Sequence, residues 1–139
     1  MSKYDVSISV IMGVYNQLNE EVLTAAVDSI LNQSFSDLEF IIYDDGSQPE
    51  AAAILKKIQK KDSRIVLIGQ EQNHGLAFSL NACIDRARGK YIARMDADDI
   101  SDSRRLRKQY DFLERHQEYS WCGCNALLMD CLLYTSPSP

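Results

Sequence analysis

What the sequence lacks excludes several classes of protein. No apolar run approaches the roughly 20 residues needed to span a bilayer, and the first residues, Met1 to Asp5, lead into no long apolar signal-peptide core. The 15 basic residues are scattered among 20 acidic ones and leave a formal net charge of -5, which argues against a nucleic-acid partner. We expect a cytoplasmic protein. Peripheral association with the inner face of the membrane, through regions outside this chain, stays open.

Two kinds of binding motif are also missing. The 4 cysteines show no C-x-x-C spacing, so reduced and mostly buried thiols are favoured over disulfides or a zinc site. No G-x-G-x-x-G follows the first apolar stretch, and no G-x-x-x-x-G-K-[ST] occurs anywhere in the chain. Dinucleotide-binding and P-loop readings therefore lose their main support.

What is present is a regular alternation of strand-like and helix-like segments. Apolar, β-branched stretches predict strands, and segments of helical periodicity follow them. The predicted strands are 6–15, 38–43, 64–68, 91–95 and 121–129; the predicted helices are 19–31, 49–61, 76–88 and 103–116. This order predicts an α/β fold, a Rossmann-like, mostly parallel sheet with helices on both faces. A chain of 139 residues makes one domain or part of one.

Polar groups stand where three of the predicted strands end. They are the segments 13–16 (GVYN), 44–47 (DDGS) and 96–99 (DADD). In parallel α/β sheets ligands bind beyond the carboxyl ends of the strands, so the fold would gather these groups at one edge. Acidic groups and a glycine at that edge suit a sugar nucleotide bridged by a metal.

The acidic cluster itself allows two readings. Asp96, Asp98 and Asp99 lie within four residues, and like charges so close raise each other's pKa. A divalent ion held by one or two carboxylates, with substrate phosphates completing its coordination, relieves that repulsion. Alternatively the loop caps the next helix, where Asp is favoured. The cluster alone does not choose between the two.

Six segments, taken in order, resemble a known family. They are SVIMGVYN (9–16), SILNQSF (29–35), DDGS (44–47), NHGL (73–76), GKYIARMDADD (89–99) and RL (105–106). Together they resemble the nucleotide-binding half of family 2 glycosyltransferases, which are inverting enzymes with a GT-A fold. The match extends from Val6 to about Asp130.

The resemblance implies roles for individual residues. Gly13, Val14 and Tyr15 would line the nucleotide pocket, although the family usually has Pro or Thr at the position of Gly13. Asp45 would hydrogen-bond the base, typically uracil. Asp96 would lie beside the ribose or the metal, and the metal ligands would be Asp98 and Asp96. The ion, Mg²⁺ or Mn²⁺, would neutralise the diphosphate leaving group.

Other residues of these segments are expected to shape the site rather than bind ligand. Arg105 would support the acidic loop through a paired contact. Asn73 and Gly75 would shape a turn. Asp99 could cap the following helix instead of binding metal. Outside these segments, Trp121, near the start of a predicted strand, is expected in the core.

The end of the sequence sets the predicted domain boundary. Residues 1–130 would be a partial, truncated nucleotide-sugar-binding domain. Residues 131–139 (CLLYTSPSP) resemble the translated read-through of a transposase sequencing adapter and would be a non-native tail. A flexible Ser/Pro-rich terminus is the alternative. The acceptor half, with the general base that an inverting transfer requires, would lie beyond this point, so no residue is assigned as the base.

These observations predict a metal-dependent glycosyltransferase. The resemblance implies that it would transfer a sugar, with inversion, from a nucleotide-diphosphate donor, typically UDP-linked, to a saccharide or lipid-linked acceptor in surface polysaccharide synthesis. This fragment alone would be inactive. One alternative is a non-catalytic nucleotide- or sugar-binding module. Another is a nucleotidyltransferase, which would need a basic loop after the first strand, whereas residues 13–18 hold no Lys or Arg.

Overall fold

A computed structural model of the chain describes residues 4–129 and 135–136. Strands and helices alternate in the predicted order. The strands are β1 (Val6–Val14), β2 (Leu38–Asp45), β3 (Ile65–Gln70), β4 (Gly89–Arg94), β5 (Leu128–Met129) and β6 (Thr135–Ser136); the helices are α1 (Glu20–Leu31), α2 (Pro49–Gln59), α3 (Leu76–Arg86) and α4 (Arg105–Arg115). The chain divides into two units, Met1–Arg107 and Lys108–Pro139, so α4 begins in the first and ends in the second.

The first unit is built on a four-stranded sheet in the order β3-β2-β1-β4. All three pairings are parallel, which confirms the prediction of a parallel sheet. The strand order reverses at β1, which has β2 on one side and β4 on the other. In such sheets the reversal point is where a crevice opens for ligands.

Helices cover both faces of this sheet, as predicted. Right-handed crossovers from β1 to β2 and from β2 to β3 place α1 and α2 on one face. The crossover from β3 back to β4 places α3 on the other. An ion pair between Glu20 and Lys57 joins α1 to α2, and a second, at 2.6 Å, joins Asp28 of α1 to Lys61 just after the end of α2, so these helices lie side by side.

The core divides according to the alternation of the strands. Ile11, Ile41 and Tyr43 form a buried cluster with Cys83 of α3. The intervening side chains point to the opposite face and are also buried: Val10, Met12, Phe40 and Ile42. Burial raises the pKa of the Cys83 thiol to about 11, so this cysteine is an inert core residue. Cys122 is half-buried and Cys124 exposed, both as free thiols, so among the three described cysteines the prediction of burial holds for Cys83 alone. Cys131 lies outside the described residues.

A hydrogen-bonded network closes the amino end of the sheet. The buried Glu39 accepts bonds from the Ser9 hydroxyl at 2.6 Å and from the Arg88 backbone N–H at 2.7 Å. Its second oxygen accepts bonds from Arg88 Nε at 3.0 Å and Nη2 at 2.8 Å. The Ser9 Oγ in turn accepts the Gly89 N–H at 2.8 Å. Both carboxylate oxygens therefore have donors although the side chain is buried.

The second unit departs from the sequence prediction. Of the strand predicted at 121–129, only Leu128–Met129 forms, pairing antiparallel with Thr135–Ser136. A strand needs a neighbour, and the described part of this unit offers only those two residues. Trp121 is 81% exposed, so its predicted place in the core is wrong. Residues 130–134 and 137–139 lie outside the described part, and the boundary predicted at Asp130 stays a prediction. Among the described residues, no helix has the length and apolarity to cross a membrane.

Candidate functional site

The carboxyl ends of the strands meet at one edge of the sheet. The register pairs Val14 of β1 with Asp44 of β2, so these two strands end side by side. On the other side of β1, β4 runs on into Met95, whose N–H donates to the Ile11 carbonyl at 3.0 Å. The loops after β1, β2 and β4 therefore leave the same edge, as the sequence predicted.

A cleft of about 270 Å³ opens at this edge. Residues from the end of β1, the end of β2 and the start of α3 surround it. They are Gly13, Val14, Tyr15, Asp45, Asn73, Gly75, Leu76 and Ser79. Four of the predicted nucleotide-binding residues are thus brought together in one concave site of the kind that ligands occupy. The fifth, Asp96, does not line the cleft; it lies on the loop after β4.

Asp45 organises one wall of the cleft. Its buried carboxylate accepts the Gly75 N–H at 2.7 Å, the His74 N–H at 2.9 Å and the Asn73 side-chain amide at 3.0 Å. Asn73 and Gly75 therefore shape a turn, as predicted, and Gly75 does so with φ of 92°. The Asp45 oxygen facing His74 accepts a single bond and keeps one lone pair for another donor. The predicted contact of Asp45 with a base stays a prediction.

Two glycines allow the cleft walls to approach closely. A Cβ on Gly13 would lie 3.0 Å from Leu76 Cδ1 and 3.1 Å from Ser79 Cβ, so α3 can pack against β1 only because no side chain intervenes. Gly46 has φ of 75°, and a Cβ there would lie 2.7 Å from the Asn73 backbone nitrogen. The loop after β2 and the loop before α3 are therefore in backbone contact, and Gly13 allows α3 to approach β1 closely.

Asn16 joins the loops that follow β1 and β2. It is the one described non-glycine residue with positive φ, at 50°, a conformation that Asn adopts more readily than most residues. Its side-chain oxygen accepts the Gln48 N–H at 2.7 Å, and its own N–H donates to the Ser47 hydroxyl at 2.9 Å. The Ser47 N–H donates to Asp44 Oδ1 at 3.0 Å. Asn16 was expected among the polar groups after β1, but its link to the loop after β2 was not predicted.

The acidic loop after β4 carries mutually repelling carboxylates. Asp96 pairs with Arg94, whose Nη2 and Nε lie 3.0 and 3.2 Å from Asp96 Oδ1. The Asp99 N–H donates to the Asp96 carbonyl at 3.3 Å and closes a turn. Burial raises the pKa of Asp99, and the charges of Asp96 and Asp98 raise it further. Asp98 is exposed at the tip of this turn.

Arg105 supports the acidic loop, as predicted. Its Nη1 donates to the Arg94 carbonyl at 3.2 Å, at the base of the loop, and its charge acts on Asp99 in the direction of a lower pKa. The capping role considered for Asp99 is wrong because α4 begins only at Arg105. Asp102 stands nearer that helix start, and its carboxylate accepts the Arg104 N–H at 2.9 Å.

Residues 9–128 match the family profile described as Glycosyl transferase family 2. The chain belongs to this family. Its predicted membership and its α/β fold of GT-A type are thereby confirmed.

Two curated relatives show how much of a longer protein the chain represents. It is 45% identical over 124 residues to the putative glycosyltransferase EpsE of Bacillus subtilis (strain 168), covering 88% of this chain and 44% of EpsE. It is 34% identical over 131 residues to the putative teichuronic acid biosynthesis glycosyltransferase TuaG of the same organism, covering 94% of this chain and 51% of TuaG. The chain thus spans about half the length of these relatives.

Two solved structures share the fold of this family 2 chain. TarS 1-349 of S. aureus in complex with UDP superposes with a TM-score of 0.69 at 25% identity, covering 80% of this chain and 33% of that one. The mannosyltransferase PcManGT of Pyrobaculum calidifontis, in complex with GDP-Man and Mn²⁺, has a TM-score of 0.68 at 20% identity, covering 81% and 36%. The second likeness concerns the fold alone.

The acidic loop fits a divalent ion that is completed by other ligands. Asp96, Asp98 and Asp99 lie together on this loop, and the charges of the first two add to burial in raising the pKa of Asp99. Within the described ranges, no group of three or more His, Cys, Asp or Glu side chains is arranged to hold a metal ion. Mg²⁺ commonly takes one or two carboxylates and fills the remaining positions with substrate phosphates and water, so the arrangement suits such an ion.

Proposed function

We propose that this chain is the nucleotide-binding part of a metal-dependent glycosyltransferase that uses a nucleotide-diphosphate sugar, UDP-linked, and transfers it with inversion. The observation that carries the proposal is the single sheet edge where the cleft of Gly13, Val14, Tyr15 and Asp45 opens and from which the acidic loop leaves. Membership of family 2 supports the reaction class.

The cleft supports a nucleotide as the bound part of the donor. Tyr15 is 54% exposed and offers an open aromatic ring on which a base can stack. Asp45 Oδ1 retains an accepting lone pair for an N–H of the base. TarS, which shares the fold, binds UDP in its complex. We therefore assign Gly13, Val14, Tyr15 and Asp45 to the nucleotide.

The acidic loop supports Mg²⁺ or Mn²⁺ beside the diphosphate. Asp98 is exposed at the turn and is the first candidate ligand. Asp96 is the second, and to bind the metal it would have to give up its ion pair with Arg94. A bound divalent ion would supply Lewis-acid stabilisation of the diphosphate leaving group. PcManGT, which has the same fold, contains Mn²⁺ together with GDP-Man.

The acceptor side is proposed from the relatives. The name of TuaG assigns that protein to teichuronic acid biosynthesis, which supports a saccharide or lipid-linked acceptor and a role in surface polysaccharide synthesis. A cytoplasmic location, with association at the inner membrane face through other regions, belongs to the same proposal. The general base would come from the remainder of the longer protein, because an inverting transfer must deprotonate the acceptor hydroxyl.

The test is donor turnover by the full-length protein. UDP-glucose, UDP-N-acetylglucosamine and UDP-galactose are each incubated with Mn²⁺ and a mixture of saccharide and lipid-linked acceptors, and the release of UDP is measured. We expect release from one donor, its loss in Asp98→Asn, and its retention in Asp85→Asn, a matched change at an exposed position of α3. Mn²⁺-dependent binding of UDP without release from any donor would favour a binding module. Pyrophosphate release from UTP and a sugar phosphate would favour a nucleotidyltransferase.

A further inference from the structure

A buried amide connects the end of α1 to the segment that follows the acidic loop. Gln33 is 7% exposed, and its Nε2 donates to the Asp102 carbonyl at 2.7 Å, to the Ser29 carbonyl at 2.9 Å and towards the Ser101 hydroxyl at 3.3 Å. Its Oε1 accepts the Leu106 N–H at 3.1 Å, in the first turn of α4. One side chain thus bonds to α1, to the segment that follows the acidic loop and to α4.

Neighbouring residues strengthen the same connection. The Ser101 N–H donates to Ser29 Oγ at 3.0 Å, and the Ser34 N–H donates to the Ser103 carbonyl at 2.8 Å. Ser101 is itself buried, at 9% exposure. Residues 101–103 are therefore fixed to the end of α1 by backbone and side-chain bonds together.

The acidic loop is consequently held at both of its ends. Met95, which is buried, is fixed to β1 through its bond to Ile11, and Ser101 is fixed to α1. Only residues 96–100 lie between these two anchors. The positions of Asp96 and Asp98 relative to β1, and therefore to the cleft, depend on where the two anchors lie.

We propose that Gln33 is a positioning residue for the metal-binding loop. The inference rests on the proposed function, because it assigns to Gln33 the placement of the carboxylates that hold the metal. An amide is required at this position because it must donate to two carbonyls and accept from a backbone N–H at the same time. A Glu carboxylate cannot donate and would face the carbonyls of Ser29 and Asp102 with like partial charge.

The test compares Gln33→Glu with the parent in the full chain. Groups that hold metal ligands in place change metal affinity by about 10- to 100-fold when removed, so we expect Mn²⁺-dependent UDP binding to weaken by about tenfold or more. UDP affinity without metal should stay at the parent value. Hydrogen exchange of the amides in residues 96–104 should become faster, while exchange in β1 and β2 stays unchanged. Gln59→Glu, at the exposed end of α2, controls for the added charge.

The outcomes separate this inference from the proposed function. If the parent shows no Mn²⁺-dependent UDP binding, the proposed metal site falls and the positioning role falls with it. If the parent binds, but Gln33→Glu lowers only the melting temperature and leaves metal-dependent affinity and loop exchange unchanged, Gln33 is merely structural. Should Gln33→Glu fail to fold, Ser29→Ala is the second variant: it removes the acceptor for the Ser101 N–H, together with a bond inside α1 from the Ser29 hydroxyl to the Ala26 carbonyl. It must then show the same selective loss, or the proposal is wrong.

Discussion

The two ends of the same parallel sheet are built in opposite ways. At the amino end, Glu39 is buried, and both of its oxygens are filled by Ser9 and Arg88. At the carboxyl end, Asp98 is exposed, and Asp99 has a raised pKa caused by burial and by neighbouring charges. The first end satisfies its polar groups internally, whereas the second leaves charge and hydrogen-bonding capacity that a ligand can use.

The pKa shifts of the two carboxyls show the same contrast. Burial by itself would raise the pKa of Glu39, but the bonds from Ser9 and Arg88 outweigh it and hold the pKa below its ordinary value. At Asp99 burial and like charges act together, and the opposing charges of Arg105 and Arg94 do not compensate. A lowered pKa in the folded state stabilises the fold at neutral pH, and a raised one destabilises it.

Backbone conformation adds to the contrast. Asn16 and Gly46, which have positive φ, both lie in loops at the carboxyl end. A non-glycine residue in the left-handed region costs on the order of 1 kcal/mol and persists where surrounding bonds enforce it, frequently at functional sites. The bonds from Asn16 to the loop after β2 provide that enforcement. The sheet is thus stabilised at one end and shaped for binding at the other.

The largest expected effect on stability comes from breaking the amino-end network. Glu39→Gln removes the charge that Arg88 neutralises and places an amide donor among donors. Loss of a buried, hydrogen-bonded charge should lower the free energy of unfolding by about 2–4 kcal/mol at pH 7, measured by urea denaturation. Since the stabilisation by Glu39 is lost as pH falls through its lowered pKa, the difference from the parent should shrink in acid. Glu50→Gln, at an exposed position of α2, should change little; an equal loss there would contradict the assignment.

Asp45→Ala tests whether the carboxyl end combines structure with recognition. It leaves the N–H groups of His74 and Gly75 without their acceptor, which should cost about 1–3 kcal/mol of stability. It should also reduce the preference for UDP over CDP, GDP and ADP, measured by titration at a temperature where the variant is folded. Equal losses of affinity for all four nucleotides would show that Asp45 holds the turn without contacting the base.

Gly13→Ala tests the close approach of α3 to β1. The added methyl meets Leu76 and Ser79 at about 3 Å, and overpacking of this kind costs about 1–2 kcal/mol. We expect a lower melting temperature and weaker UDP binding, because the wall of the cleft must shift. Gly123→Ala is the matched control, since a Cβ there meets nothing within 4 Å. Parent-like UDP affinity in Gly13→Ala would mean that this contact does not shape the site.

The smallest effect is expected at the acidic loop. The raised pKa of Asp99 means that the folded chain binds more protons than the unfolded chain between the ordinary and the raised value, so stability falls as pH rises through that window. Asp99→Asn should therefore raise the metal-free melting temperature at pH 7 by less than about 4 °C. The gain should vanish at pH values below the ordinary pKa. A fall in melting temperature at pH 7 would contradict the account of repulsion.

Most of the first unit could be predicted from the sequence because its signals are local. Apolar runs and helical periodicity placed β1 to β4 and α1 to α4, and polar residues after the strands placed the edge where ligands bind. The helix start at Asn19 was equally readable, since its side chain accepts the Val22 N–H at 3.2 Å. Where local preference and tertiary packing agree, sequence patterns suffice.

The contacts that were missed depend on residues far apart in the sequence. Nothing local indicates that Gln33 bonds to Asp102 and Leu106, or that Leu76 and Ser79 line the cleft. Positive φ at Asn16 had a signal, the preference of Asn for that conformation, but its partner Gln48 had none. The strand predicted at 121–129 forms only at Leu128–Met129, because an apolar segment also needs a neighbouring strand and its own composition cannot supply one.

The most direct test of the central claim is a calorimetric titration of UDP into the chain with and without Mn²⁺. The account predicts that Mn²⁺ strengthens UDP binding, that Asp98→Asn abolishes this gain, and that Asp85→Asn preserves it. It also predicts that Asp98→Asn does not lower the melting temperature, because Asp98 is exposed and its charge repels Asp99. Equal UDP affinity with and without Mn²⁺, or a Mn²⁺ effect that survives in Asp98→Asn, would contradict the assignment of the acidic loop as the metal site.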